Sequence, residues 1–177
     1  CTDILVNKAT PALFAKYPSS RELSKAKLVD IERLIQSLNF YKTKAKNLLA
    51  AAKLIQAKYP QSLPRTILEL TQLPGVGRKT ANVFLGEIFD AREGLVVDTH
   101  VKRLTKLTGI ASADDPIKIE QELMKIVPEK HWTKFSHWLI LHGRSICIAR
   151  RPKCQECIIR PHCEFGRKNY EALLREK

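Results

Sequence analysis

Apolar residues recur at helical spacing along nearly the whole chain. They come three or four positions apart between residues 28 and 38 and again between residues 45 and 55. Lysines lie between and beside the apolar positions of the second stretch, at 42, 44, 46, 53 and 58. This pattern predicts an amphipathic helix with a basic outer face. Asp115 is a residue type that caps helix starts, and Pro116 is favoured in the first turn, so a helix is predicted to begin there. A further helix is predicted from 131 to 146.

Strand signals are almost absent. The short run Leu95-Val96-Val97 follows Gly94 and is followed at once by Asp98, a good helix cap. The pattern therefore predicts an all-α fold with short Pro- and Gly-marked connections.

The composition of the chain indicates which kinds of partner it binds. The 177 residues are 44% hydrophobic, enough for a globular core, and carry 31 Lys and Arg against 18 Asp and Glu, a formal net charge of +13. Nucleic acid is the first partner to consider, and a merely soluble basic protein is the alternative. No apolar run approaches the roughly 20 residues that span a bilayer, so we expect a cytoplasmic protein without a membrane partner.

The segment Leu73-Pro74-Gly75-Val76-Gly77 lies between an apolar helix and a second helix that is expected to begin near Arg78. Two glycines allow a tight turn and a close approach of the backbone to a ligand. Amides at the start of the second helix then suit a phosphate. The pattern is a helix-hairpin-helix; the alternative is an ordinary turn between helices.

Lys79 and Asp98 are candidates for catalysis. Lys79 lies in the first turn after the hairpin, where the helix dipole and Arg78 disfavour an ammonium, and a neutral amine can act as a nucleophile. Asp98 precedes Thr99-His100-Val101, and a fixed carboxylate can stabilise a sugar cation. The alternatives are a further phosphate contact for Lys79 and a simple helix cap for Asp98.

Four of the five cysteines form the pattern Cys-x6-Cys-x2-Cys-x5-Cys at Cys147, Cys154, Cys157 and Cys163. Structural zinc usually takes paired Cys-x2-Cys knuckles, and only one such pair is present. The spacing favours a [4Fe-4S] cluster, and zinc that merely braces the fold remains the alternative. Cys1 is left over without a role beyond a buried side chain.

Several motifs and their order resemble endonuclease III of the bacterial type, a family of helix-hairpin-helix, iron–sulfur DNA glycosylases and abasic-site lyases. They are LPGVGRKTAN at 73–82, VDTHV at 97–101, WLILHGR at 138–144 and the four-cysteine spacing. The resemblance covers essentially the whole chain. It implies two helical lobes with a DNA cleft between them: a helical barrel over 1–92 and a cluster-bearing lobe over 93–177.

The resemblance also implies the chemistry. A damaged base is flipped out of double-stranded DNA, Lys79 attacks the sugar carbon to give a Schiff base, and β-elimination nicks the strand. Asp98 assists base loss and proton transfer. The adenine-removing branch lacks a lysine at this position, so Lys79 favours a bifunctional enzyme acting on oxidised pyrimidines. We also expect abasic sites in DNA as a partner, and a monomeric protein.

Three further residues match family positions at the DNA. His100 matches a residue of the cleft, with a plain helix-start histidine as the alternative. Phe40 and Tyr41 fall where the family inserts an apolar wedge, with core packing as the alternative. The family has further residues upstream of Cys1, and the only methionine is Met124, so the N-terminal part of the barrel is expected to be missing here. A non-catalytic DNA-binding fragment is thus the competing function.

Overall fold

The computed structural model describes residues 3–168, and within them all regular secondary structure is helical. This confirms the predicted all-α class; the run at 95–97 forms no strand there. The α-helices with both bounds in this part of the chain are α1 (Asp3–Lys16), α2 (Ser20–Ser24), α3 (Leu28–Leu34), α4 (Tyr41–Lys58), α5 (Ile67–Leu70), α6 (Arg78–Phe89), α7 (Thr99–Thr108), α8 (Pro116–Ile126) and α9 (Trp132–Ser145). Residues 164–168 are also helical. Short 3-10 turns occupy Glu129–His131 and Arg160–His162.

The chain divides into two compact units, 1–81 and 82–177. The domain limits expected from the sequence, 1–92 and 93–177, remain predictions. No helix of the described residues is long and apolar enough to cross a membrane. Cys1 lies outside the described residues.

In the first unit, α4 packs against α2 and α3, and α1 packs against α3. The apolar positions of the predicted helices face inward, and the buried residues of this core are Ala9, Leu13, Ile31, Ile35, Leu38 and Ala45. On the opposite side of α4, Lys42, Lys46, Lys53 and Lys58 are exposed and Lys44 is half-buried. The helix is thus stabilised by its apolar face and keeps a basic outer face, as predicted.

In the second unit, α7 packs against both α8 and α9. Its core consists of Leu95, Val101, Leu104, Ala111, Ile119, Leu123, Val127, Trp132 and Leu139. The side chain of Asp115 accepts hydrogen bonds from the backbone N–H groups of Ile117 and Lys118, at 3.0 Å each, and Pro116 occupies the first turn. The cap predicted for α8 is therefore present.

Candidate active site and metal centre

The hairpin connects α5 to α6. A capping box formed by Thr66 and Glu69 begins α5, and the N–H of Val76 donates to the carbonyl of Leu73 at 3.0 Å to close the turn. Gly75 has a φ of 81°, in the left-handed region that favours glycine. A Cβ there would also lie 2.7 Å from the Asn47 side-chain nitrogen of α4. The hairpin is thus fixed from one side by α4.

The other glycine has open space around it. A Cβ at Gly77 would meet no atom within 4 Å, so packing within the protein does not demand a glycine there. The next two residues, Arg78 and Lys79, begin α6 and are exposed, and the first turn contains no acidic residue. Lys79 forms no ion pair within residues 3–168. A ligand can therefore approach this helix start closely.

Asp98 is half-buried and caps α7. Its Oδ1 accepts hydrogen bonds from the backbone N–H groups of His100 and Val101, at 2.8 Å each. Both bonds go to one oxygen, so within residues 3–168 the second oxygen, Oδ2, has no hydrogen-bond partner. The carboxylate is fixed in position and still has an acceptor oxygen to offer.

The half-buried His100 packs against α9. A Cβ added at Gly143 would lie 2.9 Å from its Nδ1, and this buried nitrogen has no hydrogen-bond partner among the described residues. The imidazole is therefore confined on its Nδ1 side by the backbone of α9. This contact explains why α9 needs a residue without a side chain there.

The predicted wedge residues differ in environment. Phe40 precedes α4 with a φ of 57° and is 83% exposed. Tyr41 is half-buried against the core of the first unit. A left-handed conformation is uncommon for a bulky residue, and Phe40 gains little burial that could offset its cost.

All four predicted cysteine ligands line one cavity in the second unit. Cys147, Cys154, Cys157 and Cys163 are half-buried, free of disulfides and surround this cavity together with apolar residues of α7 and of the loop after α9. Thiolate sulfur is the ligand that iron–sulfur clusters require. Within residues 3–168, no three His, Cys, Asp or Glu side chains are arranged to hold one metal ion. Four thiols around one cavity are the donor set that such a cluster takes.

Donor groups surround the thiols. The guanidinium of Arg103 donates to the Cys147 carbonyl at 2.7 Å and approaches the Cys147 sulfur at 3.6 Å. The N–H of Gly166 lies 3.3 Å from the Cys163 sulfur, and His142 Nε2 lies 3.5 Å from the Cys157 sulfur. The N–H donors of Arg103 and Gly166 stabilise negative charge on sulfur.

Burial shifts two of these groups. It raises the pKa of the Cys147 thiol, an effect that the hydrogen bond and charge of Arg103 oppose. Burial, with a smaller contribution from Arg103, lowers the pKa of His142. Burial thus favours the neutral imidazole of His142, and Arg103 favours the thiolate of Cys147.

The sequence did not indicate Asn47, Arg103 or His142 as parts of these sites. Arg103 follows the VDTHV motif closely, and His142 belongs to WLILHGR, but nothing in either pattern shows which cysteine the side chain meets. Arg103 and Cys147 are 44 residues apart in sequence. Only packing brings them together.

Comparison with solved structures identifies the class of the fold. A trapped endonuclease III–DNA covalent intermediate, in an estranged-adenine complex, superimposes with a TM-score of 0.89 at 39% identity over 96% of this chain and 80% of that chain. A non-covalent endonuclease III–DNA complex gives a TM-score of 0.88 at 39% identity, covering 97% and 80%. The predicted fold is confirmed, and DNA is the partner of this class.

Sequence comparison gives the family. The profile of the HhH-GPD superfamily base excision DNA repair protein matches residues 1–129. Endonuclease III of Synechocystis sp. is 47% identical over 92% of this chain and 74% of its own length. The chain belongs to the HhH-GPD superfamily of base excision DNA repair proteins. The predicted enzyme class, a DNA glycosylase and abasic-site lyase, is confirmed over the non-catalytic alternative.

Proposed function

We propose that this chain removes oxidised pyrimidines from double-stranded DNA and then nicks the strand, with Lys79 as the nucleophile and Asp98 as its assisting carboxylate. The observation that carries the proposal is the first turn of α6. Lys79 is exposed there directly after a hairpin with open space around Gly77, and no acidic residue of that turn neutralises it. An amine so presented is available to an electrophilic sugar carbon.

The reaction balances without a co-reactant other than water. The Lys79 amine forms a bond to the C1′ of the damaged nucleotide while the bond from C1′ to the base breaks and the base leaves with the electron pair. Ring opening gives an imine. Loss of a proton from C2′ then expels the 3′ phosphate by β-elimination, and water releases the enzyme.

Asp98 suits the role of assistant because it is held by two backbone N–H groups and keeps one oxygen free within the described residues. In this proposal its negative charge stabilises positive charge that develops on the sugar, and Oδ2 accepts protons in transit. The alternative, a cap without chemistry, uses only Oδ1.

The hairpin is proposed to bind the DNA backbone through Gly75, Val76, Gly77 and Arg78. Backbone amides at a helix start and an exposed guanidinium recognise phosphate and read no base sequence. The net charge of +13 supports this role, because it draws a polyanion to the whole molecule. The affinity should therefore depend strongly on salt and weakly on sequence.

Phe40 is the better candidate for a wedge in the duplex, because it is exposed and held in an uncommon backbone conformation. Tyr41 packs on the core, and in this proposal it positions Phe40. His100 is proposed to contact DNA beside Asp98, with its Nδ1 side packed on α9.

We infer that Cys147, Cys154, Cys157 and Cys163 hold a [4Fe-4S] cluster. When bound, the cluster would supply rigid cross-links among the four thiolates. Exposed Arg144, Arg150, Arg151 and Lys153 lie in and around this loop and add to its positive charge. The oxidised-pyrimidine preference and a cytoplasmic site of action are part of the same proposal.

The test of the mechanism is borohydride trapping on a duplex with one oxidised pyrimidine. The wild-type protein should form a covalent adduct, because borohydride reduces the imine to a stable amine. Lys79→Ala should form none while it still binds DNA. An adduct of equal yield with Lys79→Ala would overturn the assignment of the nucleophile.

The test of the cluster is metal analysis of the purified protein. About four iron atoms per chain and a brown colour are expected, since iron–thiolate charge transfer absorbs visible light. A colourless protein with one zinc per chain would replace the cluster by a structural zinc site.

A further inference from the structure

A buried polar pair outside the proposed catalytic residues joins α6 to α8. Asn82 of α6 is 5% exposed and Glu120 of α8 is 3% exposed. The Asn82 Nδ2 donates to the Glu120 Oε1 at 3.1 Å. Neither helix needs this contact for its own hydrogen bonding, and Ile119 and Leu123 of α8 belong to the apolar core of the second unit.

The pair is covered by the backbone at Gly94. A Cβ at this position would collide with the Glu120 carboxylate and would lie 2.9 Å from the Asn82 Nδ2. Only a residue without a side chain allows the backbone to approach the pair so closely. Gly94 begins the segment that ends at Asp98, and Leu95 within it is 1% exposed.

We infer that Asn82 and Glu120 are positioning residues that hold the segment 94–98, and with it the carboxylate of Asp98, in place. This inference deepens the proposed function and rests on it. The segment is fixed at its start by the pair and at its end by the Asp98 cap, with Leu95 in the core between them. A displacement of the start is therefore transmitted to Asp98.

The cost of the arrangement supports this inference. A buried carboxyl group requires hydrogen bonds that compensate for the loss of water, and within the described residues the Asn82 Oδ1 is buried without a partner. An apolar pair would fill the same space at a lower cost. A directional bond specifies one register of α6 against α8, which dispersion contacts alone do not.

The experiment exchanges the two functional groups. Asn82→Asp places two carboxylates in contact, whereas the double variant Asn82→Asp with Glu120→Gln restores one amide and one carboxylate with the hydrogen bond reversed. Single-turnover base release from a duplex with one oxidised pyrimidine is measured with DNA binding. We expect Asn82→Asp to slow base release about 10- to 100-fold with an unchanged Kd, and the double variant to return within about 3-fold of wild type.

A matched control separates positioning from stability. Ile119→Val lowers the melting temperature from the neighbouring buried position without touching the pair, and it should leave the base-release rate unchanged. Equal slowing by Ile119→Val and Asn82→Asp at equal loss of melting temperature would overturn the inference. Absence of recovery in the double variant would overturn it as well.

Hydrogen exchange keeps this test separate from that of the proposed function. Amides of residues 95–101 should exchange faster in Asn82→Asp than in Ile119→Val and should be protected again in the double variant. Unchanged exchange across this segment in Asn82→Asp would overturn the inference. If wild-type protein gives no trapped adduct, the proposed function fails, and the exchange data still decide whether the pair holds this segment.

Discussion

The starts of α6 and α7 differ in what can accept hydrogen bonds from their first backbone N–H groups. Every helix begins with backbone N–H groups that lack a partner within the helix. At α7 the Asp98 carboxylate accepts from two of them at 2.8 Å. At α6 the preceding residue is Gly77, which has no side chain to accept a bond, and the first turn contains no acidic residue.

The difference separates two functions. The Asp98 side chain accepts from the backbone N–H groups at the start of α7, and these two bonds orient the carboxyl group. The start of α6 retains its preference for an anion, which suits the phosphate of a ligand. In the proposed function, one helix start thus fixes the assisting carboxylate, and the other attracts the substrate to the lysine beside it.

The largest expected effect comes from variants that separate the charge of Asp98 from its role as a helix cap. Asn is as good a cap as Asp, so Asp98→Asn should keep the melting temperature while single-turnover base release falls about 100- to 1,000-fold. Asp98→Ala should lose the same activity and also about 1 kcal/mol of stability. Kinetics and thermal unfolding measure the two effects. Full activity in Asp98→Asn would reduce Asp98 to a helix cap.

The next effect compares the two hairpin glycines. Gly75→Ala should cost about 1–3 kcal/mol of stability, because its φ of 81° is strained for alanine and its Cβ would meet Asn47. Gly77→Ala should change stability by only about a few tenths of a kcal/mol, since no atom within 4 Å opposes the methyl group.

Gly77→Ala also tests DNA binding at the hairpin. The methyl group of Gly77→Ala occupies space through which a phosphate would approach, so duplex affinity should fall about 10-fold without a loss of melting temperature. Fluorescence anisotropy measures the Kd. Unaltered binding would show that DNA does not approach the helix start at Gly77.

The smallest expected effect concerns one charge. Arg78→Ala should weaken duplex binding a few-fold and reduce the slope of log Kd against log salt by about one, the value of one lost phosphate contact. Lys118→Ala removes the same charge from an exposed position of α8 and is the matched control. Equal slopes in the two variants would assign the effect of Arg78 to net charge alone.

Local sequence was sufficient for much of the fold. The lysine-rich α4, the cap of α8 at Asp115 and the helix start at Arg78 depend on residues within a few positions of each other, and the structure has each where the pattern predicts it. The four cysteines lie within one short segment, so their common cavity was also predictable.

Exposure of neighbouring residues was not predictable from local pattern. Phe40 and Tyr41 are adjacent aromatic residues, yet one is exposed and the other packs on the core. The direction of a side chain at a helix start depends on the backbone conformation there and on the elements packed around it.

The sequence by itself determined the helices, the hairpin, the capping aspartate and the set of thiols, because each is encoded by spacing and residue type over short distances. Only the tertiary structure decided that Arg103 meets Cys147, that Asn47 packs against Gly75 of the hairpin, and that Asn82 and Glu120 lie under Gly94. These contacts join residues 12 to 44 positions apart, and no local pattern encodes such a distance. They follow from close packing of helices, in which each side chain takes the neighbour that the whole arrangement provides.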